Sequence, residues 1–296
     1  MSDTGTQPFD YRRPTDWSDA MALLAQPGAV AKMGGCDILT RYRRGKLDTH
    51  LIVGLNDLPG VRELVFSPEG ALIGAAVTLA ELAASPDFAR SWPVLARVMG
   101  EIASPAIRSS ATVVGNVAQG WSVSDLVPLL QVYNASLELR GPAGSRQLSV
   151  SEYARSRGNT ALQPGEIITA LKLPTPVVNF CVAYERFAFR EAFDLPLVAV
   201  AIGAIFDGAS WSDIRLAAVG GGSMPVRCAP VEEFLACSSG MEAVGADVES
   251  AVLLLASWAQ PISDFRATAA YRRHVLGVLF KRALSKLAAA RRGSEV

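Results

Sequence analysis

The pattern of apolar and polar positions changes its period along the chain and so divides it into predicted elements. At the N-terminal end, we expect a helix capped by Thr15, followed by an apolar strand at residues 29–33 that ends at Gly34-Gly35. A short basic helix and a second apolar strand at residues 51–55 come next. This order of elements predicts a small α/β unit over about the first 56 residues.

Residues 56–60 fit a connector, and from Val61 the pattern indicates strands joined by tight turns, together with several helices. The sequence Ser-Pro-Glu-Gly at 67–70 predicts a hairpin. The remaining elements are expected as strands at 64–66 and 71–74, helices at 79–84, 92–103 and 123–133, a hairpin of 137–140 with 146–149, and a strand at 167–173. Residues 104–120 have neither helical nor strand periodicity, and their mixture of Gly, Ser, Thr and apolar residues predicts a packed functional loop.

Pro174 and Pro176 mark the main predicted domain boundary. Beyond them, apolar stretches predict strands at 180–186, 197–206 and 214–219, with an Asp207-Gly208 turn between the last two, and then helices up to a final one at 267–290. We therefore expect one domain over residues 1–176, with lobes of about 1–56 and 57–176, and a second over 177–296.

Composition excludes several classes of protein. The chain has 296 residues, half of them hydrophobic, so it can bury a sizeable core. Its 28 basic and 28 acidic residues balance, which argues against recruitment of nucleic acid or of an anionic membrane by a global field. The longest apolar run, residues 197–206, is too short to span a bilayer, so we expect no membrane insertion. Residues 1–13 lack the apolar core of a secretory signal, which predicts a cytoplasmic protein.

Potential metal ligands are scattered along the sequence. No C-x-x-C pair occurs, which argues against a zinc ribbon or an iron–sulfur cluster within this chain. The residues concerned are Cys36, Cys181, Cys228, Cys237, His50 and His274. We expect no metal site built from this chain, and the cysteines fit small apolar residues of a reduced compartment.

Two glycine-bearing loops carry the candidate chemistry. In Ala-Lys-Met-Gly-Gly-Cys-Asp-Ile at 31–38, a strand leads into a double glycine that opens a helix, so backbone N–H groups can converge on an anion. In Thr-Val-Val-Gly-Asn at 112–116, a hydroxyl and an amide can also donate to phosphate oxygens. A diphosphate would fit between two such loops, although each loop by itself also fits a plain turn. The Rossmann and P-loop glycine motifs are both missing from the sequence.

Seven motifs occur in a fixed order over nearly the whole chain. They are residues 33–38, 72–78, 102–108 running into 111–116, Ser124-Asp125, 165–168 before Leu173-Pro174, Arg190 with Asp194, and 271–273. In this order they resemble the FAD-binding medium subunit of the xanthine dehydrogenase and carbon monoxide dehydrogenase family of molybdenum hydroxylases. The resemblance implies an α+β fold, in which a two-lobed FAD-binding PCMH-type domain, like that of vanillyl-alcohol oxidase, precedes a domain of a three-stranded antiparallel sheet plus helices.

The resemblance also implies a cofactor site, with FAD as the cofactor of this chain. Its diphosphate would be held by the first loop, which comprises Ala31, Lys32, Met33, Gly34, Gly35, Cys36, Asp37 and Ile38, and would be closed over by Thr112, Gly115 and Asn116. Asp125 would accept hydrogen bonds from flavin-side hydroxyls, Ile102 and Ile168 would cover the isoalloxazine, and Arg186 stands about where the family often has a lysine near the flavin. Without the resemblance, Asp125 also fits a helix N-terminal charge and the two isoleucines fit core positions.

Three positions depart from the family pattern. Val114 stands where the family usually has the first of two glycines, and Cys36 replaces a hydroxyl or amide residue, which removes a good donor. Trp121 lies where small residues or proline are common. These departures concern the geometry of the loops more than the fold.

The resemblance implies an electron-transfer role and partners. A small subunit with two [2Fe-2S] clusters and a large molybdopterin-molybdenum subunit would complete a dimer of heterotrimers, which would hydroxylate an N-heterocycle or purine, an aldehyde or carbon monoxide. The electron acceptor would be NAD⁺, oxygen or a membrane-linked carrier, and no general base or nucleophile is assigned to this chain. Two alternatives stay open: a self-contained flavin oxidase, and a non-catalytic nucleotide-binding assembly module.

Overall fold

The computed structural model describes residues 8–156, 159–190, 194–207, 210–222, 224–237 and 246–290. The first elements are β1 (Asp10–Arg12), α1 (Trp17–Leu24), β2 (Ala29–Lys32), α2 (Cys36–Arg43) and β3 (Leu51–Gly54). The strands form a parallel sheet in the order β1-β3-β2, so the fully buried β3 lies in the middle. The predicted α/β unit is present, but α1 is capped by Asp16 and not by Thr15, because the Asp16 carboxylate accepts the Asp19 N–H at 2.9 Å.

The next region contains a five-stranded antiparallel sheet packed against short helices. In chain order its elements are β4 (Leu64–Ser67), β5 (Gly70–Gly74), α3 (Leu79–Ala83), α4 (Pro86–Ser91), α5 (Pro93–Glu101), α6 (Pro105–Arg108), α7 (Val113–Ala118), α8 (Leu126–Val132), β6 (Ser136–Gly141), β7 (Gly144–Ser149), α9 (Val150–Tyr153), β8 (Ala154–Ser156), β9 (Asn159–Thr160) and β10 (Ile167–Pro174). The strand order is β4-β5-β10-β6-β7, and β8 pairs with β9 separately. Both predicted hairpins are present.

Residues 104–120 are not the loop that their lack of periodicity predicted, because they contain the helices α6 and α7. Ser104 caps α6 by accepting the Ile107 N–H at 3.1 Å, and Thr112 caps α7 by accepting the Gly115 N–H at 2.9 Å. Helices of four and six residues are too short to display a 3.6-residue period. The cap residues were therefore the informative signal in this segment.

In its described residues, the C-terminal region is a second antiparallel sheet covered by three helices. Its elements are β11 (Phe180–Phe187), β12 (Val198–Phe206), β13 (Trp211–Val219), β14 (Val226–Arg227), α10 (Ala229–Cys237), α11 (Ala246–Trp258) and α12 (Ala269–Ala290). The three predicted strands are joined by a fourth, β14, which pairs with β13 through two residues and is too short to show alternation. The Gly208 of the predicted turn lies outside the described residues. No helix in the described ranges has both the length and the apolar content needed to cross a membrane.

Strand β12 explains how the two regions share a core. Ala199 and Ala201 face the core of the preceding region, whereas Val198, Val200 and Ile202 pack into the cluster that contains the C-terminal helices. This alternation is the period-2 pattern of a strand that is buried on both faces. On the alanine side, a β-carbon at Gly203 would lie 2.6 Å from Val132 Cγ1 of α8. The C-terminal sheet and α8 are therefore in direct contact.

Candidate functional site

The two predicted glycine loops line the same cleft. It has a cavity volume of about 190 Å³ and is bounded by the 31–38 loop, by α7 and by β10. The predicted residues among its walls are Ala31, Met33, Gly34, Gly35, Cys36, Asp37, Ile38, Thr112, Gly115, Asn116 and Ile168. Lys32, Ile102, Asp125 and Arg186 are not part of this lining. The structure thus brings together most of the candidate residues from three separate parts of the chain.

The first loop presents backbone to the cleft. Gly35 is the N-cap residue of α2 and adopts a left-handed conformation (φ 77°), and no described side chain caps this helix. A β-carbon at Gly34 would lie 2.0 Å from the carbonyl oxygen of Ser110, so only glycine allows this loop to pack against the segment before α7. Uncapped first-turn N–H groups beside two adjacent glycines form a cradle that fits an anion such as the diphosphate of FAD.

Two side chains of this first turn, Cys36 and Asp37, are ionisable, and burial favours the uncharged form of each. Burial raises the pKa of the Cys36 thiol above its ordinary value, so the thiol stays protonated at neutral pH; its Sγ lies 4.0 Å from the Gly34 and Ile107 carbonyl oxygens. Burial also raises the pKa of the Asp37 carboxyl, which Arg41 partly offsets from 3.7 Å away. Cys36 is therefore a weak donor at the cleft.

The second loop uses one of its donors internally. The Gly115 N–H donates to Thr112 Oγ1, so the Thr112 O–H is the donor that this pair retains for a ligand. Val114, which replaces a glycine of the family pattern, is buried in the core and also lines the cleft. Its side chain therefore belongs to the apolar wall.

Asn116 is connected to a buried serine behind the cleft. The Ser124 hydroxyl donates to Asn116 Oδ1 at 2.6 Å, and Ser124 Oγ accepts the Leu126 and Val127 N–H groups, both at 3.2 Å. Ser124 thereby also caps α8, whose formal N-cap residue, Asp125, makes no side-chain cap. The serine links the cleft wall to the start of α8.

Asp125 forms a buried polar cluster with two residues of β11. Asp125 is 6% exposed, and its carboxyl accepts the Tyr184 O–H at 2.7 Å and lies 3.4 Å from Arg186 Nε. Burial raises the pKa of Asp125 above its ordinary 3.8, and Arg186 and Tyr184 partly counteract that rise. Arg186 also donates to the Asp194 carbonyl oxygen at 2.7 Å. Arg186 and Asp125 are thus neighbours, and Tyr184, which the sequence did not indicate, completes their cluster.

Lys32 and Ile102 flank the site without lining the cleft. Lys32 Nζ donates to the Met33 carbonyl oxygen at 3.2 Å, and a β-carbon at Gly35 would meet the Lys32 side chain at 2.8 Å. Ile102 is a core residue that is 9% exposed. It precedes Ala103, which has a φ of 52°, and Arg108 donates to the carbonyl oxygens of both residues at 3.0 and 3.1 Å.

The cleft has further lining residues that the sequence did not single out for the site. Most of them are small or aliphatic and give no chemical signature in sequence: Leu55, Ala75, Ala111, Val114, Ala118, Gln119, Leu162, Glu166 and Ile167. Glu166 is held by Arg146 through contacts of 2.6 and 2.7 Å, and Arg146 lowers the pKa of that carboxyl. Two glycine loops at the anion end and a largely aliphatic wall fit a ligand with both phosphate and planar apolar parts.

Comparisons with known proteins agree with this geometry. Residues 7–176 match the family model described as the FAD binding domain in molybdopterin dehydrogenase, and residues 183–287 match the CO dehydrogenase flavoprotein C-terminal domain. The carbon monoxide dehydrogenase medium chain of Afipia carboxidovorans is 31% identical over 94% of this chain and 96% of its own length. A putative xanthine dehydrogenase FAD-binding subunit of Escherichia coli is 29% identical over 96% of this chain and 97% of its own length.

A solved structure supports the same assignment. The CO dehydrogenase of Oligotropha carboxidovorans matches with a TM-score of 0.89 and 28% identity, covering 95% of this chain and 98% of that one. The match includes the FAD-binding region and the C-terminal domain with its antiparallel sheet, as the resemblance implied. The chain therefore belongs to the family of FAD-binding medium subunits of the xanthine dehydrogenase and carbon monoxide dehydrogenase type, which are components of oxidoreductases.

Proposed function

We propose that this chain holds FAD in the cleft and carries electrons between a partner subunit and an external acceptor. The observation that carries the proposal is the convergence of the 31–38 loop and the 112–116 loop on one cleft. Bound FAD would supply the redox chemistry, and the protein would orient it and control access to it.

The diphosphate is assigned to the anion end of the cleft. Loop residues Ala31 to Ile38 would hold the diphosphate through backbone N–H groups at the start of α2, where the helix dipole favours negative charge. Lys32 would support this loop through its contact with Gly35. The Thr112 hydroxyl and the Asn116 amide would donate from the opposite side, and Gly115 permits the Thr112 cap that shapes this loop.

The ring system is assigned to the aliphatic end. Ile168 lines the cleft and would exclude water from the isoalloxazine, and Ile102 would add apolar cover from the core. Asp125 would accept hydrogen bonds from flavin-side hydroxyls, and Arg186 would add positive charge near them. We assign FAD binding to a domain of residues 1–176, which consists of lobes of about 1–56 and 57–176. A second domain, residues 177–296, would support it.

The partners are inferred from the relatives. The Afipia protein is named a medium chain, which places that protein among other chains. By likeness, we propose that a small subunit with two [2Fe-2S] clusters delivers electrons, while a large molybdopterin subunit hydroxylates an N-heterocycle or purine, an aldehyde or carbon monoxide. The assembly would be a cytoplasmic dimer of heterotrimers.

FAD titration of the full chain tests the proposal. Ala31 lines the cleft yet is exposed, so Ala31→Trp should occupy the cleft without disturbing the core. We expect the wild type to bind one FAD, Ala31→Trp to bind it at least about tenfold more weakly, and both to unfold at the same urea concentration. Ala22→Trp, an exposed change on α1, is the matched control and should bind FAD normally. A wild-type chain that takes up no FAD, or an Ala31→Trp chain that binds as the wild type does, would contradict the proposal.

A further inference from the structure

We infer that Ser124 is a positioning residue that fixes the Asn116 side-chain amide with its N–H₂ group toward the cleft. The inference rests on the proposed function, because it assigns a hydrogen-bonding polarity to one wall of the FAD site. Ser124 is 5% exposed and does not line the cleft, so it acts through Asn116.

The argument begins with the hydrogen-bonding capacity of a serine hydroxyl. Its oxygen has two lone pairs and carries one hydrogen. The N–H groups of Leu126 and Val127 both point to Ser124 Oγ at 3.2 Å, so they occupy the two lone pairs. The hydroxyl is left with its hydrogen as the one group to share with a third neighbour.

The third neighbour is Asn116, 2.6 Å away. Because Ser124 must donate in this contact, the Asn116 atom that faces it must be an acceptor, which is the amide oxygen Oδ1. An Asn amide carries its oxygen and its nitrogen on opposite sides, so Nδ2 points away from Ser124. The start of α8 thereby determines which end of the Asn116 amide faces the serine.

The orientation of the Asn116 amide determines which kind of ligand atom it can bind. Asn116 lines the cleft beside Thr112, whose remaining donor is its O–H. Two donors side by side fit an oxygen acceptor such as a phosphate oxygen of the FAD diphosphate, whereas an inverted amide would present its oxygen and repel that group. Ser124 thus prevents a flip that would oppose cofactor binding.

The test is a double-mutant cycle on FAD affinity in the full chain freed of flavin. We expect Asn116→Ala to raise the Kd for FAD by about 10- to 100-fold, the loss of one hydrogen bond to a charged group. Ser124→Ala should raise the Kd by about three- to tenfold, and it should add no further effect in the Asn116→Ala background. Ser124→Thr, which keeps the hydroxyl, should restore the affinity.

Helix capping is separated from positioning by a second readout and a control. Ser124→Ala should lower the urea midpoint of the flavin-free chain in both the wild-type and Asn116→Ala backgrounds, because it uncaps α8 in each. Ser85→Ala, which uncaps α4 at the Phe88 N–H, should lower the midpoint and leave the Kd unchanged. A Kd effect of Ser124→Ala that persists in the Asn116→Ala background, or no Kd effect at all, would overturn the inference.

Asn116→Asp provides an answer even where Ser124→Ala does not fold. The carboxylate still accepts from Ser124 but directs a negative oxygen into the cleft, so it should weaken FAD binding more than Asn116→Ala does. An Asn116→Asp chain that binds FAD as tightly as the wild type would refute the positioning role. A wild-type chain that binds no FAD would instead refute the proposed function itself.

Discussion

The Asp125 carboxyl depends on two residues of β11 for its hydrogen bond and its charge partner. Tyr184 donates to it at 2.7 Å, and Arg186 lies 3.4 Å away. Asp125 lies at the start of α8, 59 residues before Tyr184, whereas Tyr184 and Arg186 share β11, so no local pattern indicates that the three form a cluster. The family resemblance gave Asp125 and Arg186 but not the tyrosine between them.

Tyr184→Phe tests this cluster directly. The change removes the O–H and leaves a buried carboxylate oxygen with one partner fewer, so we expect the free energy of unfolding in urea to fall by about 1–3 kcal/mol. Tyr271→Phe, which removes a hydroxyl from a ring that is 44% exposed, should change it little. Equal effects of the two changes would argue against a stabilising role for the buried hydroxyl.

The raised pKa of Asp125 makes a signed contribution to the pH dependence of stability. The folded chain keeps the Asp125 proton to a higher pH than the unfolded chain, whose carboxyl titrates near 3.8. The Asp125 contribution to the unfolding free energy is therefore greatest below that pH and falls as pH rises through the folded pKa. In Asp125→Asn this fall with pH should disappear. The difference in unfolding free energy between the variant and the wild type should therefore change between pH 3.8 and the folded pKa of Asp125.

Glu166 provides a control of opposite sign for this measurement. Arg146 lowers its pKa, so its contribution to stability is present above the unfolded pKa and is lost as pH falls through the folded one. Glu166→Gln should therefore reduce stability chiefly at neutral pH. Parallel pH profiles for Asp125→Asn and the wild type would contradict the assigned direction.

At the scale of elements, the strands were easier to predict than the short helices. Continuous or alternating apolar runs gave β5, β10, β12 and the two hairpins nearly to the residue, because a strand shows its period within five or six positions. Helices α6 and α7 were missed, since their identity lies in the caps Ser104 and Thr112. For the cleft, the glycine loops were visible in sequence, whereas the alanines of its wall were not.

The close contact between the first loop and the segment before α7 predicts that one added methyl group, in Gly34→Ala, will disturb the site. Gly34→Ala would place a β-carbon 2.0 Å from the Ser110 carbonyl oxygen and 3.3 Å from Ala111 Cα, which are backbone atoms with little freedom to move. We expect weaker FAD binding and a loss of unfolding free energy near the upper end of about 1–3 kcal/mol. Titration with FAD and urea unfolding measure the two effects.

Gly100→Ala is the matched control for that change. Its β-carbon would have Ala83 Cβ at 4.0 Å as its nearest neighbour, and it lies in the last turn of α5. Alanine at this helical position should raise the unfolding free energy by at most about 1 kcal/mol and leave FAD affinity unchanged. A Gly34→Ala chain that behaves like Gly100→Ala would contradict the close packing of the two loops.

At the scale of the whole molecule, the C-terminal sheet completes the core of the FAD-binding region. Tyr184, Ala199, Ala201, Ala217 and Val219 belong to the same buried cluster as α5 and α8. Hydrogen bonds reinforce the contact: Gln131 Nε2 donates to the Pro225 carbonyl oxygen at 2.9 Å, and Arg215 donates to that of Val132 at 2.9 Å. We therefore expect both regions to unfold in one transition. The boundary after residue 176, placed from Pro174 and Pro176, stays a prediction.

Gly203→Ala tests this coupling. The new β-carbon would lie 2.6 Å from side-chain atoms of Val132 and Phe180, so the contact must open slightly, at a cost of about 1–3 kcal/mol. In hydrogen-exchange measurements, the protection factors of the most slowly exchanging amides should fall by the same amount in both regions. Loss of protection confined to the C-terminal sheet would show that the regions open separately.

The side of β12 that faces α8 carries only Ala199, Ala201 and Gly203 among its central residues, and so it has no bulky side chains that could repack when the regions shift. Because small side chains let the two backbones approach closely, as the 2.6 Å clearance at Gly203 shows, we expect the two regions to move as one body. A protein that docks across both regions would then meet one preformed surface.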